Sequence, residues 1–312
     1  MKIIALLPVK NEEWVLPFYL KSMQEIADEI IALDDNSTDQ SRQILESAGV
    51  KIIEMSEDEI STEKTVNMSR RRNLLLSAAR QAGGTHLVFL DADEIFSKNF
   101  SRDGRKIISG LKAGQKLSMR WVTLWKSAPY ERVDGAWYNL YKDFIFADDG
   151  QATFENKNLS EGRTPGSNDQ DLKFPSEKGV VFHLQFLAWN RNLYKQAWYR
   201  MQELVDGRRN AKRINHTYSI TLDSSRVKTG PLPNVYQQEL RGISSLTANY
   251  SEYKKEILNL FDQYGILFFE PLEIWHISDL KDEFLKRVGR LPKSQTYGPI
   301  LVKLNALRHK FN

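Results

Sequence analysis

Three carboxylates fall within four positions where an apolar run ends. Leu87, Val88, Phe89 and Leu90 are strand formers, and Asp91, Asp93 and Glu94 follow at once. Like charges this close repel one another and are costly to take out of water, so a positive partner belongs beside them. Asp91 and Asp93 stand at i and i+2, which directs both carboxylates to the same side of an extended strand end. Hard oxygen ligands of that kind suit Mg²⁺ or Mn²⁺, ions that keep positions open for water and phosphate oxygens. A divalent cation held between such carboxylates and a diphosphate neutralises a departing phosphate. The plainer alternative is a strand end capped by solvated acids, because D-x-D alone is common by chance.

The elements that must position these acids can be read on either side of them. Residues 3–7 predict a buried strand, 8–13 a polar loop, and Leu16, Leu20, Met23 and Ile26 a helix by their spacing. A second strand at 29–33 ends in DDNSTD, whose Ser, Thr and Asp are good caps for a helix over 40–48. Gly49 closes that helix, 50–54 reads as a third strand, and 66–82 as a helix ending in Gly83-Gly84. Strand–helix alternation predicts an α/β fold with a mostly parallel sheet flanked by helices. Such sheets bind ligands at the carboxyl ends of their strands. Polar loops follow three strands in that position, at 8–13, 34–39 and 91–94. Neither G-x-G-x-x-G nor G-x-x-x-x-G-K-[ST] is present, which disfavours dinucleotide and P-loop readings.

The rhythm changes after residue 100. Trp121, Trp125, Tyr130, Trp137, Tyr138, Tyr141 and Phe144 crowd a short span; they suit either a core or the apolar face of a sugar ring, and core is the reading for most of them. Residues 156–178 read as loop, 180–184 as a strand and 190–206 as a helix. The stretch TGPLPNVYQQ, 229–238, looks like a linker, and 251–263 and 279–288 look like helices. This divides the chain into a domain over 1–216 and a mainly helical extension over 217–312.

With 312 residues, 41% hydrophobic and 27% charged, the chain can bury a large core. It has no cysteine, which excludes disulfides, thiolate metal sites and a thiol nucleophile. A net charge of +4 without a dense Lys/Arg–aromatic patch disfavours nucleic-acid binding. The amino-terminal apolar run is broken by Pro8 and Lys10, and no window is apolar enough to span a bilayer, so a cytoplasmic protein is expected. The carboxy-terminal stretch LVKLNALRHKF has Leu301, Leu304 and Leu307 on one face. It could touch a membrane peripherally or dock onto the protein, docking being the plainer expectation.

Three ordered motifs over residues 1–100 resemble family 2 glycosyltransferases of the nucleotide-sugar-binding GT-A fold. LLPVKNEE resembles the family's opening strand and P-x-x-N-E-E loop, and IIALDDNSTDQS its D-D-x-S-x-D segment. RRRNLLLSAARQAGGTHLVFLDADE resembles its R-N helix and D-x-D strand. The D-A-D-E ending is similar to the branch of bacterial lipopolysaccharide-core β-glucosyltransferases. The resemblance implies that Pro8, Val9 and Glu12 line a nucleotide pocket, that Asp35 accepts a hydrogen bond from the base, and that Arg72 lies near the phosphates. It implies further that Asp91 reaches the ribose, that Ala92 lies with it at the donor, and that Asp93 binds the metal. Asp34 is expected as a turn acid, Arg70 and Arg71 as a solvated helix face, and Glu94 as a structural acid.

The same branch carries a loop containing H-E and then a strand containing His. NLSEGRTPG offers Glu161, with Ser160 in place of the family's His, and GVVFHLQF offers His183. The resemblance thus implies Glu161 as the base that deprotonates the acceptor, and His183 as a further metal ligand through a neutral imidazole. Asp148, Asp149 and Glu177 are rival bases, and a satisfied core histidine is the plain alternative for His183. The implied activity is inverting transfer of a sugar from a nucleotide sugar, UDP-linked by expectation, to a saccharide or lipid-linked saccharide hydroxyl. A non-catalytic nucleotide-sugar-binding scaffold is one competing reading. A sugar-phosphate nucleotidyltransferase is the other, but the 8–13 loop lacks the glycines it would need.

Overall fold

Alternate residues of β1 (Ile3–Val9) leave the sheet on opposite faces, and both faces are covered. Ile3, Ala5, Leu7 and Val9 join one buried cluster, while Ile4 and Leu6 join another. β2 (Glu29–Asp34) splits the same way, with Ala32 on the first side and Ile31 and Leu33 on the second. Burial on both faces is why these strands read as unbroken apolar runs. β1 pairs in parallel with β2 and with β4 (His86–Phe89), and β2 with β3 (Lys51–Ile53). The structure is a computed structural model, and it describes residues 1–54, 64–155, 163–166, 172–207, 209–219, 227–240, 243 and 246–293.

The helices between these strands supply the covers. α1 (Leu16–Gln24) buries Leu16, Tyr19, Leu20 and Met23, a helical stripe, and Pro17 sits in its first turn, where a missing N–H costs nothing. α2 (Ser41–Ser47) follows β2 and buries Leu45. α3 (Lys64–Gln81) brings Leu75, Leu76, Ala78 and Ala79 to the second cluster. The chain then re-enters the sheet at Gly84. A Cβ there would stand 2.8 Å from Ile4 Cδ1 and 3.0 Å from the Ala79 carbonyl, so only glycine allows so tight a return.

Beyond β4 the pairing becomes mixed. β5 (Glu94–Phe96) and α4 (Lys98–Ser109) lead to the long β6 (Lys116–Trp125). Early in its course β6 runs antiparallel to β8 (Tyr141–Ala147), which is itself antiparallel to β4. Later it pairs with β7 (Ser127–Arg132) and, in parallel, with β10 (Val181–His183), which runs antiparallel to β5. Register shifts at Leu117/Ser118 and Leu124/Trp125 are the irregularities that bend a strand. One bent strand therefore joins the main sheet to the short β5–β10 layer. β9 (Leu172–Lys173) pairs with β6, and the path of the sheet runs β11-β7-β6-β8-β4-β1-β2-β3 with β11 (Thr229–Pro231) at its end.

The chain forms two compact units, one of Met1–Leu187 with Thr229–Leu246 and one of Ala188–Lys228 with Thr247–Asn312. The stretch 229–238 is therefore no linker. It is β11 and most of α7 (Asn234–Glu239), and Leu232 and Tyr236 are buried in the first unit's core. Gly230 and Pro231 belong to the strand and Pro233 leads into the helix, and the two large apolar side chains find cover.

The second unit is helical. α5 (Trp189–Val205), α6 (Ala211–Tyr218), α8 (Ser251–Tyr264) and α9 (Ser278–Val288) pack through Tyr194, Ala197, Met201, Ile214, Ile257, Phe261, Leu280 and Phe284. Asn210 caps α6 by accepting from the Arg213 N–H at 3.0 Å. Residues 216 and 217, where the sequence suggested a domain boundary, lie inside α6. Among the described residues no helix is long and apolar enough to cross a membrane. The tail stretch 301–311 lies outside the described residues.

Candidate active site

β4 ends at Phe89, and the chain turns through Asp91, Ala92 and Asp93 before Glu94 opens β5. The Glu94 N–H donates to the Asp91 carbonyl at 3.0 Å and closes that turn. Pairing of β5 with β10 sets His183 opposite Glu94, and the Leu184 N–H donates to the Asp93 carbonyl at 2.8 Å. Backbone register thus brings Asp93 and His183 together across about ninety positions of sequence. His183 Nε2 lies 3.5 Å from Asp93 Oδ2, and both residues are buried. Burial, opposed by the Asp93 carboxylate, holds the imidazole below its usual pKa, so the neutral form prevails at neutral pH.

The positive partner of the acids is Arg163. Its Nη2 pairs with Asp91 Oδ2 at 2.8 Å, and its Nη1 donates to Glu94 Oε2. The rest of Glu94 is also occupied. Its Oε1 accepts from the Trp121 indole N–H at 2.6 Å, and Oε2 accepts from the Asp91 N–H at 3.0 Å. Burial pushes this carboxyl up to about 7 against the pull of Arg163, with Asp91 and Asp93 adding to the rise. The Arg163 guanidinium, although half-buried, is held above its usual pKa by Asp91 and Glu94. Lys142 on β8 completes the surroundings, its ammonium 3.3 Å from the centroid of the Trp121 ring. Burial and the neighbouring Arg163 push it down to about 8. Neither cation is marked by the local sequence. Arg163 stands in a Gly-rich loop far along the chain from the D-x-D, and its only signal is the demand for positive charge that the acids make.

The rims after β1 and β2 interlock. Asp34 is the expected turn acid, accepting from the Ser37 N–H at 3.2 Å and the Ser37 hydroxyl at 2.5 Å. Asn11 Oδ1 accepts from the Thr38 N–H at 2.7 Å, tying the two loops together. Asp35 pairs with Arg71 at 2.8 Å and Lys10 at 3.6 Å. Arg71 is thus no solvated face, because α3 turns it onto the acid after β2. Glu12 accepts from the Trp14 indole at 2.6 Å. Pro8 is half-buried at the end of β1, while the side chains of Val9 and Ala92 lie in the core. Arg72 is half-buried with its guanidinium 5.6 Å from the Phe154 ring centroid; burial lowers its pKa and Asp91 opposes that. Asn73 clamps the Phe154 backbone with two hydrogen bonds of 2.9 Å, one given and one received.

Glu161 and Ser160 lie outside the described residues. Two rival bases are occupied elsewhere. Asp148 pairs with Arg80 at 2.7 Å, and Asp149 accepts from the Gln151 and Ala152 N–H groups at 2.9 and 2.8 Å, which hold its carboxyl below its usual pKa. Glu177 is exposed on a turn. Of the aromatic cluster, Trp121, Trp125 and Phe144 are core, Trp137 stacks on Trp121 at 5.6 Å, and Tyr130 and Tyr138 are exposed.

Among the described residues no group of three or more His, Asp or Glu side chains could by itself hold a metal. Asp93 and His183 form a two-ligand set: the carboxylate oxygen suits Mn²⁺ or Mg²⁺, and the neutral imidazole nitrogen favours the transition metal Mn²⁺ of the two. His183 Nδ1 is buried without a hydrogen-bond partner among the described residues, so this ring is not the satisfied core histidine that the plain alternative requires. Two protein ligands leave the other positions of an octahedral ion to water and phosphate oxygens. The residues present fit such a cation.

Residues 5–103 match the sequence model of the family described as Glycosyl transferase family 2. The architecture is mixed α/β, a sheet flanked by helices with a helical carboxy-terminal part, as the resemblance to that family implies. No curated protein matches the chain. Among solved structures, TarS of S. aureus is 15% identical over 71% of this chain with a TM-score of 0.39, and the chain spans 43% of that protein's length. TarS 1–349 in complex with UDP is 15% identical over 90% of this chain and 83% of that one, with a TM-score of 0.40. Glucosyl-3-phosphoglycerate synthase from Mycobacterium tuberculosis, in complex with Mn²⁺ and UDP-glucose, is 19% identical over 39% of this chain and 44% of that one, with a TM-score of 0.25. These likenesses are too distant to carry residues across.

Proposed function

We propose that this chain is a metal-dependent, inverting glycosyltransferase that moves a sugar from a nucleotide sugar, UDP-linked by preference, to a hydroxyl acceptor. The observation that carries the reading is the Asp93–His183 pair beside Asp91, at the carboxyl end of a central strand in the segment matching the family. A scaffold protein has no need of a buried imidazole whose Nε2 faces a buried carboxylate while its Nδ1 finds no hydrogen-bond partner among the described residues.

In this reading Asp93 and His183 hold a divalent cation, which when bound supplies positive charge to the diphosphate. Every other role falls to the chain itself. Asp35 accepts a hydrogen bond from the base, with Lys10 and Arg71 fixing its carboxylate, and Pro8, Val9 and Glu12 belong to the wall beside it. Asp91 receives the ribose, with Ala92 in the turn between the two acids, and Arg72 stands near the phosphates. Arg163 clasps Asp91 and Glu94 so that the acids can share one rim without mutual repulsion. Glu161, two positions before Arg163, takes the proton from the acceptor hydroxyl as the nucleotide leaves from the opposite face. The acceptor is a saccharide or lipid-linked saccharide, as in the lipopolysaccharide-core branch. The protein works in the cytoplasm, with residues 301–311 available for peripheral contact with a membrane.

The test is a panel of nucleotide sugars assayed for hydrolysis and transfer, alongside melting curves with UDP, GDP and CMP in the presence and absence of Mn²⁺. A metal-dependent rise in melting temperature for one nucleotide, with turnover of its sugars, is the expected result. Binding without turnover of any sugar leaves the scaffold reading. No stabilisation by any nucleotide overturns the proposal.

A further inference from the structure

Lys142 is placed oddly for a lysine that only balances charge. It lies on β8 opposite Met119 of β6, half-buried, with its ammonium 3.3 Å from the centroid of the Trp121 ring. Trp121 donates to Glu94 and stacks on His183 with centroids 4.3 Å apart, so Lys142 touches the residue on which the site's walls converge. Asp91, Asp93 and Glu94 all act on the ammonium electrostatically, yet among the described residues it makes neither a hydrogen bond nor an ion pair. Most of the acids' oxygens are engaged elsewhere. Both oxygens of Glu94 and Oδ2 of Asp91 are engaged by Trp121, Arg163 and a backbone N–H, and Asp93 Oδ2 faces His183. A lysine ammonium has three N–H donors, and among the described residues its partner is an aromatic face.

Arg163 and Lys142 therefore differ in kind. Arg163 is a planar fork spent on two carboxylates and cannot turn to a ligand without releasing Asp91 or Glu94. Lys142 is a compact point charge, steered by Trp121 and, among the described residues, with its donors unspent. We infer that Lys142 is an anion-binding group of this site and takes a phosphate oxygen of the bound ligand. The inference rests on the function proposed above and goes beyond it by assigning the contact to a residue on β8, outside the segment that matches the family. The phosphate has two chemical sources, the diphosphate of the donor or a phosphate carried by the acceptor, and the placement among Asp91, Asp93 and His183 favours the donor.

Lys142→Met keeps an unbranched side chain over Trp121 and removes only the charge, and Lys142→Arg restores the charge. UDP, GDP and CMP, each with Mn²⁺, and their parent nucleosides are titrated calorimetrically into wild type and both variants, whose melting temperatures report folding. For whichever nucleotide the wild type binds, Lys142→Met weakens affinity about tenfold or more, as loss of a hydrogen bond to a charged group does. Nucleoside binding stays unchanged, and Lys142→Arg recovers part of the loss. In a second arm inorganic phosphate is titrated into protein saturated with nucleotide and Mn²⁺. Unchanged nucleotide affinity together with loss of phosphate binding in Lys142→Met assigns the contact to the acceptor's phosphate. If a folded Lys142→Met binds nucleotide and phosphate as tightly as wild type, the inference is overturned while the proposed function stands. If the wild type binds no nucleotide, the proposed function falls and takes the inference with it.

Discussion

The site draws on two stretches of chain that differ in how they deliver residues. From 3 to 94 each contributing loop follows a buried strand directly, so that Asp35 and Asp91 are fixed by where β2 and β4 stop. From 116 to 187 the contributors come singly, Trp121 from β6, Lys142 from β8, Arg163 from a loop and His183 from β10, and meet only because β6 bends between two layers. The first stretch supplies acids at strand ends. The second supplies the imidazole, the cations and the indole that make those acids tolerable and useful. A carboxylate cluster can be encoded locally, but its compensation must be assembled by topology.

Substitutions on the two sides of this division should show it. The largest effect is expected where the two stretches share one task. Asp93→Ala and His183→Ala each lower transfer by about 10³-fold or more, since a bound cation is worth several kcal/mol to a developing phosphate charge. The double variant loses little beyond either single one, because one ion needs both ligands. Additive losses in steady-state kinetics would break the pairing of the stretches. Next comes Glu161→Gln, with transfer down about 10²–10³-fold and nucleotide affinity nearly unchanged by calorimetry. Normal transfer by this variant moves the base elsewhere, though not to Asp148 or Asp149, which hold Arg80 and their own turn.

Arg163→Met asks whether the second stretch compensates the first. It leaves Glu94 fully buried without its cation, and breaking such a pair costs about 3 kcal/mol of stability. The cost depends on pH with a definite sign. The Glu94 carboxyl already titrates near 7 in the folded protein and rises further once Arg163 is gone, so the native state keeps a proton that the unfolded chain has lost. Stability therefore falls as pH rises from the unfolded carboxyl range through neutrality. Urea unfolding at pH 5.5 and pH 8 should show a larger deficit at pH 8, and an equal deficit would mean that Glu94 is not the group left uncompensated.

The smallest effect lies away from the acids. Glu239 on α7 accepts from the Lys98 N–H at 2.6 Å, at the start of α4, and burial pushes its carboxyl up to about 7. Its folded pKa also exceeds the unfolded one, so wild-type stability declines between about 4.5 and 7 partly on its account. Glu239→Gln keeps an acceptor for Lys98 and should flatten that decline by a degree or two in melting temperature without touching catalysis. A change in turnover would tie α7 to the site.

What could be read from sequence follows the same division. β1 to β4 and their helices are legible because apolar runs, helical spacing and glycines are local signals, although the cap expected for α2 is not made by a side chain, and the acids stand out because three of them follow one strand. His183 is singled out by the resemblance alone, since a histidine on a strand says nothing by itself. Arg163 was legible only as a missing charge, and Lys142 not at all, because the pairing of β6 with β8 has no trace in either segment. Arg71 was misread for the same reason: whether an arginine on a helix meets solvent or Asp35 depends on which neighbour the helix covers. The 229–238 stretch misled in the opposite direction, its turn residues being more visible than Leu232 and Tyr236, which anchor it.

The central claim is that a divalent cation on Asp93 and His183 holds the diphosphate of a nucleotide sugar. Crystals soaked with Mn²⁺ and UDP test it most directly. An anomalous manganese peak bonded to both side chains and to diphosphate oxygens, with uracil at Asp35, is the predicted result. Manganese bound at other residues, or UDP lodged away from the turn between β4 and β5, would contradict it.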